Sequence, residues 1–227
     1  MPYKTDSPFL ELFHLLLNHF GPQHWWPGET ELEMMVGAVL TQNTQWKNVE
    51  MAIERLKDRD MMSLDALRDV PLAELADAIR PAGYYNVKAK RLKNLIFLLW
   101  TRYEGAFLGL IEDPLEQVRG ELLNVKGIGP ETADSILLYA FGRPIFVIDA
   151  YTYRILNRHG FTGSDVGYNE LQEMVMDHLP DDPALFNELH ALVVKTGKIY
   201  CLKRSPRCDS CPLKAWHSSP IIEFIDG

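Results

Sequence analysis

The stretch that decides the fold covers residues 125–140 and reads VKGIGPETADSILLYA. Gly127 and Gly129 allow positive φ angles and a close approach of the backbone, and Pro130 suits the first turn of a helix, where its missing N–H costs nothing. An apolar pattern at helical spacing follows. We therefore predict a tight turn between two helices, whose glycine amides at a helix N-terminus form a site for a phosphate group. A plain helix–turn–helix connection without a ligand is the alternative.

Helical periodicity extends over almost the whole chain. Apolar side chains recur at helical spacing in about ten segments, which proline or polar breaks separate. A longer amphipathic segment, Lys88–Tyr103, has a basic start, and the most β-like run, Pro144–Ile148, reads as an extended link. These patterns predict an all-α fold.

The composition is that of a globular protein without a membrane span. The chain has 227 residues, of which 47% are hydrophobic and 24% are charged, and its net charge is −8. No apolar run is long enough to cross a bilayer, and the N-terminus lacks the features of a signal peptide. We therefore expect a cytoplasmic protein, and nothing in the sequence demands more than a monomer.

Two clusters of basic residues stand out in a chain whose net charge is negative. They contain Lys88, Lys90, Arg91 and Lys93, and further along the chain Lys195, Lys198, Lys203, Arg204 and Arg207. Lysine and arginine drive the binding of nucleic acid, and a local patch is enough for it. A solvated helix face is the alternative for either cluster.

Three segments form a pattern that is specific in combination. The hairpin reads Leu-x-x-Val-x-Gly-Ile-Gly-x-x-Thr-Ala, residues 147–154 read Val-x-Asp-x-x-x-x-Arg, and residues 39–45 read VLTQNTQ. Together they resemble the endonuclease III superfamily of DNA glycosylases, whose Leu-Ser-x-Gln segment is similar to the third. The resemblance covers nearly the whole chain. It implies a two-lobed helical DNA glycosylase fold with a helix-hairpin-helix motif, and double-stranded DNA with a damaged base as the partner.

The resemblance also implies a set of DNA contacts. In the family the hairpin holds the DNA backbone through main-chain amides, and a polar side chain fills the gap that a flipped base leaves. The matching residues here are Gln42, Asn43, Lys126, Gly127, Ile128, Gly129 and Thr132.

Asp149 matches the catalytic carboxylate of the family. Breaking an N-glycosidic bond builds positive charge on the sugar, and a fixed carboxylate stabilises that charge or activates water. The base must leave the stack before it can be reached. Taken alone, Asp149 also reads as the N-cap of the helix that follows.

An acid stands where some members of the family have a lysine. In members that also cleave the strand, a lysine two residues after the second hairpin glycine attacks the sugar and forms a Schiff base. That position is Glu131 here, and a carboxylate cannot form an imine. Lys126 lies on the wrong side of the turn. We therefore predict a monofunctional glycosylase, in which Asp149 assists water and the strand stays intact.

Aromatic residues indicate the class of base. Residues 24–27 (HWWP), 44–46 (TQW) and 80–92 resemble the 3-methyladenine DNA glycosylase branch, in which aromatic residues line the base pocket. Stacking between aromatic faces favours an alkylated purine, which is electron-poor and often cationic. The alternative is that the tryptophans anchor the core or the surface. The residues that match the pocket are Trp25, Trp26, Pro27, Trp46 and Lys198.

Three cysteines near the C-terminus, Cys201, Cys208 and Cys211, are a poor disulfide framework and a reasonable metal site. The matching motif of the family has a fourth cysteine and holds a structural [4Fe–4S] cluster, whereas this chain has His217 there. We predict that the three cysteines hold such a cluster, with His217 or an exogenous group as the fourth ligand. The alternatives are a Cys3His zinc site and a loop without metal. Arg204 belongs to the intervening basic loop, which we expect to face phosphates.

We expect two helical lobes. One covers residues 25–141 and ends in the hairpin, and the other combines 1–24 with 142–227 and carries the cysteine loop. DNA would lie across the groove between them, with Asp149 at its mouth. The predicted function is excision of alkylated purines, chiefly 3-methyladenine, in base excision repair. The alternatives are an endonuclease III-like glycosylase and AP lyase for oxidised pyrimidines or mismatches, and a DNA-binding module that recognises lesions without cutting.

Overall fold

The computed structural model describes residues 7–25 and 28–216, and this part of the chain is helical with no β-strand. The predicted all-α fold is thus confirmed. The helices within it are α1 Pro8–Phe20, α2 Glu31–Leu40, α3 Trp46–Lys57, α4 Leu64–Asp69, α5 Leu72–Ala78, α6 Tyr85–Tyr103, α7 Leu108–Glu112, α8 Leu115–Leu123, α9 Pro130–Ser135, α10 Ala150–Arg158, α11 Tyr168–Met176 and α12 Pro183–Ile199. A π-helical turn at Ile136–Ala140 prolongs α9.

Some of the predicted site residues fall outside this part of the chain. They are Trp26 and Pro27 of the base pocket and His217 of the cysteine loop. Across the described residues, no helix combines the length and the hydropathy that a bilayer span requires.

The chain divides into two compact units. The terminal unit comprises Met1–Trp25 and Pro144–Gly227, and the central unit comprises Trp26–Arg143. The terminal unit therefore holds α1 and α10 to α12, and the central unit holds α2 to α9.

The terminal unit is built around α12, which packs against α1 and α10. Ser7 begins α1 with a side-chain cap, because its Oγ accepts a hydrogen bond from the amide of Leu10 at 3.3 Å. The core contains fully buried aromatic rings, among them Phe146 and Phe186, which meet edge to face with centroids 5.8 Å apart. This packing positions the start of α10 against α12.

The central unit is built around α2, which packs against α3, α6 and α9. Its apolar residues are buried on several faces, including Met35, Val36 and Val39. A helix surrounded in this way must end inside the unit, where its last carbonyl groups need hydrogen-bond donors.

Helix α6 supplies those donors from its basic start. The Nζ of Lys88, which is only 1% exposed, donates to the carbonyls of Leu40 at 2.8 Å and Ala82 at 2.7 Å. The Nζ of Lys93 donates in the same way to the carbonyls of Leu67 at 2.8 Å and of two neighbouring residues. The interpretation of this cluster as a solvated helix face is therefore wrong for both lysines, which join the ends of other helices to α6.

Replacing Lys88 with methionine is expected to destabilise the protein by about 2 kcal/mol or more, because two buried carbonyl groups lose their donor. Urea denaturation measures the loss. The matched control is Lys90→Met on the same helix, since Lys90 is exposed and a surface change of this kind shifts stability by about 0.5 kcal/mol or less. Equal losses in the two variants would contradict the role of Lys88.

The pH dependence of the same pair of proteins gives a second readout. Burial, with a smaller contribution from Arg91, lowers the pKa of Lys88 from 10.5 to about 8. Between these values the unfolded chain binds the proton more tightly than the folded chain, so the folded state gains stability as the pH rises. The stability of the wild type relative to Lys88→Met should therefore increase between pH 8 and 10.5.

Candidate active site

The predicted hairpin joins the end of α8 to the start of α9. Gly127 has a φ of +100°, a conformation that side chains disfavour, and a Cβ atom at this position would overlap the side chain of Arg91. The amide of Ile128 donates to the carbonyl of Val125 at 3.0 Å, and both of these side chains are buried. Apolar packing thus fixes the turn from its inner side.

The outer side of the turn presents backbone. Lys126, Gly127 and Gly129 are exposed, and no backbone carbonyl of the described residues accepts a hydrogen bond from the amides of the two glycines. Gly129 is the N-cap of α9 and makes no side-chain cap, and Pro130 occupies the first helical position. Free N–H groups at a helix N-terminus suit an anion such as a phosphate.

Gln42 is held against the hairpin by both ends of its side-chain amide. Its Nε2 donates to the carbonyl of Gly127 at 3.1 Å and to Oγ1 of Thr132 at 2.9 Å. Its Oε1 accepts a hydrogen bond from Nη1 of Arg91. Thr132 is buried, with its hydroxyl turned toward Gln42, whereas the neighbouring Asn43 is exposed and has a left-handed φ of +56°.

Asp149 caps α10 with one oxygen of its carboxylate. Oδ1 accepts hydrogen bonds from the amide of Tyr151 at 3.0 Å, the amide of Thr152 at 2.7 Å and Oγ1 of Thr152 at 2.9 Å. The side chain is 11% exposed. Three donors on one oxygen fix the plane of the carboxylate and leave Oδ2 outside the cap.

Oδ2 of Asp149 faces a histidine that belongs to none of the sequence motifs. Nε2 of His190 on α12 lies 3.7 Å from this oxygen. The ring of His190 is stacked against Trp25 with centroids 5.7 Å apart and an angle of 21°. Burial lowers the pKa of His190, and the charge of Asp149 opposes that shift only in part, so the imidazole is neutral at neutral pH. The sequence indicates this position only by placing a titratable side chain, His190, inside the apolar run 189–194.

The tryptophans predicted for the base pocket belong to different units. Trp25 is half-buried in the terminal unit, and Trp46 is half-buried at the start of α3 in the central unit. A Cβ atom on Gly37 would lie 3.2 Å from the ring of Trp46, so this ring lies on the backbone of α2. Lys198 is exposed in the last turn of α12.

The cysteine loop carries three free thiols. Cys201 and Cys211 are half-buried and Cys208 is exposed. Burial raises the pKa of the Cys211 thiol; a hydrogen bond with the backbone of Leu213 opposes this, and the charges of Cys201 and Cys208 add to it. Thiols are suitable donors for an iron–sulfur cluster or for zinc. Among residues 7–25 and 28–216, however, no three His, Cys, Asp or Glu side chains are arranged to hold a metal ion.

Protein contacts anchor both ends of this loop. Nε of Arg154 donates to the carbonyl of Cys201 at 2.7 Å, and Nη1 of Arg158 lies 3.2 Å from Sγ of Cys201. At the other end Trp216 is 1% exposed and stacks on Phe161 with ring centroids 4.6 Å apart. The exposed middle of the loop includes the predicted phosphate contact, Arg204.

Comparison with known proteins gives consistent matches. The HhH-GPD family model, described as the HhH-GPD superfamily base excision DNA repair protein, matches residues 36–181. The chain is 44% identical over 205 residues to a Methanocaldococcus jannaschii protein named "Putative DNA repair glycosylase MJ1434", with 90% of this chain and 93% of that protein covered.

Two solved structures are similar along most of the chain. One is Helicobacter pylori 3-methyladenine DNA glycosylase (MagIII) bound to 1,N6-ethenoadenine, with a TM-score of 0.72, 31% identity and coverage of 85% of this chain and 97% of that one. The other is a trapped endonuclease III–DNA covalent intermediate, with a TM-score of 0.78, 25% identity and coverage of 91% and 92%. The resemblance predicted from the sequence is confirmed.

Replacing Gly127 with alanine is expected to destabilise the protein by about 1–3 kcal/mol, because the side chain requires a disfavoured φ and displaces Arg91. Urea denaturation is the measurement. Gly120→Ala on α8 is the matched control, since a Cβ there meets nothing within 4 Å, and it should raise stability by about 0.5–1 kcal/mol. A loss in Gly120→Ala equal to that in Gly127→Ala would mean that the turn has no special demand for glycine.

Proposed function

Because the chain belongs to the HhH-GPD superfamily of base excision DNA repair proteins, we propose that it excises alkylated purines, chiefly 3-methyladenine, from double-stranded DNA. It is a DNA glycosylase of that superfamily. Beyond this family-level activity, we propose alkylated purines as the substrate class, Asp149 as the catalytic residue and DNA with an abasic site and an intact strand as the product.

The geometry of Asp149 carries the proposal. Three donors hold Oδ1 at the start of α10, and Oδ2 stands apart from them. A carboxylate fixed in this way is preorganised to stabilise the positive charge that develops on the sugar, or to take a proton from the attacking water. The cap does not use Oδ2, so this oxygen remains available for that role.

The residue after the hairpin supports hydrolysis over strand cleavage. Glu131 is exposed in the first turn of α9, at the position where a strand-cleaving member of the family has its lysine. A carboxylate forms no imine with the sugar. We therefore assign the attack on the glycosidic bond to water assisted by Asp149, and an abasic site as the product.

The aromatic residues support an alkylated purine. Trp25 presents a half-buried indole beside His190, and the similar Helicobacter pylori protein is described as a 3-methyladenine DNA glycosylase. An aromatic face attracts a cationic or electron-poor base and needs few hydrogen bonds to do so. We propose Trp25, Trp26, Pro27 and Trp46 as the surfaces that contact the base, with Lys198 as a further contact.

The hairpin supports a phosphate contact. Exposed glycine amides and Lys126 lie on one side of the turn, and phosphate groups bind well to such N–H groups and to a nearby ammonium. We propose that Lys126 to Gly129 hold the DNA backbone, that Gln42 and Asn43 contact the site of the extruded base, and that Arg204 meets a phosphate.

A second candidate is a glycosylase for oxidised pyrimidines that also cleaves the strand. The similarity to the trapped endonuclease III–DNA intermediate favours it. Glu131 speaks against it, because that trapped species is described as covalent and this chain lacks a lysine at the matching position.

Methylated duplex DNA distinguishes these candidates. We expect purified protein to release 3-methyladenine, and a denaturing gel should show breaks only after treatment with alkali. Asp149→Asn keeps the cap acceptor but removes the charge, so it should lower the rate of release by at least about a hundredfold while DNA binding persists.

The same experiment contains the outcomes that would contradict the proposal. Breaks without alkali would show that an amine of this chain acts as a lyase. Release of oxidised pyrimidines alone would favour the second candidate. No release from either substrate, with lesion binding retained, would mean a binding module. Asp177→Asn is the matched control, since it makes the same chemical change at the end of α11 and should leave release unchanged.

The three cysteines support a structural metal group in the same chain. We propose a [4Fe–4S] cluster held by Cys201, Cys208 and Cys211, with His217 or an exogenous group as the fourth ligand, and with no part in the reaction. Zinc bound by the same residues and a loop without metal are the alternatives.

Elemental analysis of anaerobically purified protein tests this. We expect iron together with inorganic sulfide, and we expect Cys208→Ser to lose both because a thiolate ligand is removed. Ser210→Ala in the same loop is the control and should keep the metal. Zinc without sulfide, or no metal in the wild type, would contradict the cluster.

A further inference from the structure

A buried histidine of the terminal unit, His190, lies beside the carboxylate of Asp149. His190 lies midway along α12 and is 4% exposed. Its Nε2 is 3.7 Å from Oδ2 of Asp149, which is the carboxylate oxygen that the cap of α10 leaves over. A polar ring in a core position has therefore been placed against the oxygen that the chemistry needs.

Two aromatic contacts fix the orientation of the His190 ring. Trp25 stacks on its face, with centroids 5.7 Å apart and an angle of 21°. Phe146 meets it edge to face, with centroids 6.2 Å apart and an angle of 87°. A ring clamped in this manner keeps its nitrogen edge directed at the carboxylate.

The protonation state of the ring matters for the charge at the site. Burial lowers the pKa of His190, and the charge of Asp149 opposes this only in part. A neutral imidazole can direct one N–H toward a carboxylate without cancelling its charge. Asp149 therefore remains able to stabilise a cation that forms beside it.

We propose that His190 is a positioning residue for base release, which orients Oδ2 of Asp149 with its ring nitrogen and supports the indole of Trp25 with its face. One side chain then links the carboxylate to the aromatic surface that meets the base. This inference rests on the proposed function.

Two substitutions separate the two roles of the ring. His190→Phe keeps an aromatic face against Trp25 and removes the nitrogen. His190→Gln removes the ring and keeps an amide nitrogen that can reach a similar distance from the backbone. The matched control is His178→Phe, because His178 is half-buried in the same unit, meets Phe9 edge to face at 5.8 Å and does not contact Asp149.

The readouts are the single-turnover rate of 3-methyladenine release and the affinity for DNA that carries an abasic-site analogue. We expect His190→Phe to lower the rate about tenfold or more, because the carboxylate loses the polar group that orients it, with the affinity for the analogue unchanged. We expect His190→Gln to recover part of that rate but to bind DNA containing the damaged base more weakly than His190→Phe does. His178→Phe should match the wild type.

Each outcome has a clear meaning. Circular dichroism checks that the variants are folded, and His190→Gln replaces His190→Phe as the decisive variant if the latter does not fold. A wild-type rate in His190→Phe would overturn this inference alone, as would equal losses of rate and of affinity in both variants, which indicate a purely structural role. A wild type that releases no base would overturn the proposed function and the inference with it.

Discussion

The central unit depends on the need of buried carbonyl groups for donors. Helices that end inside a protein leave their last carbonyls without partners, and here α6 satisfies several of them with side chains. Lys88 bonds the end of α2, Lys93 bonds the end of α4, and Asn94 bonds the carbonyl of Lys126 at 2.9 Å. Arg91, between them, reaches Gln42 and lies on Gly127. One helix thus sets the positions of the loop after α2 and of the hairpin.

A second constraint acts on the terminal unit, where the carboxylate that we propose for the chemistry also caps a helix. Asp149 satisfies the free amides at the start of α10 with Oδ1, and the positive end of the helix favours its charge. The side chain is therefore held by the fold before any substrate is present. Asp149 can therefore cap α10 with one oxygen and still serve as the carboxylate that we propose for catalysis.

The features that depend on neighbouring residues in the chain, namely the helices and the hairpin turn, could be predicted from local sequence patterns. The all-α fold follows from helical periodicity, and the turn around Gly127 follows from its glycines and from Pro130. The basic pattern predicts that α6 starts at Lys88, whereas the helix begins at Tyr85, directly after Gly83 and Tyr84, which adopt left-handed φ angles.

Features that depend on tertiary contacts were not visible in the sequence. Lys88 and Lys93 look like surface residues because their partners are carbonyls of helices that lie far away along the chain. His190 belongs to an apolar run, and only the fold brings it to Asp149. Thr132 likewise accepts a hydrogen bond from Gln42, which is 90 residues away in sequence.

The three hydrogen bonds of Gln42 have a thermodynamic consequence. A long amide side chain loses about 1.5–2 kcal/mol of rotamer freedom when it is fixed in one conformation. In this protein the loss occurs during folding, because Gly127, Thr132 and Arg91 already hold the amide. A duplex that contacts Gln42 in this orientation would meet a side chain that is already ordered. Binding would then not carry the entropic cost of ordering that side chain.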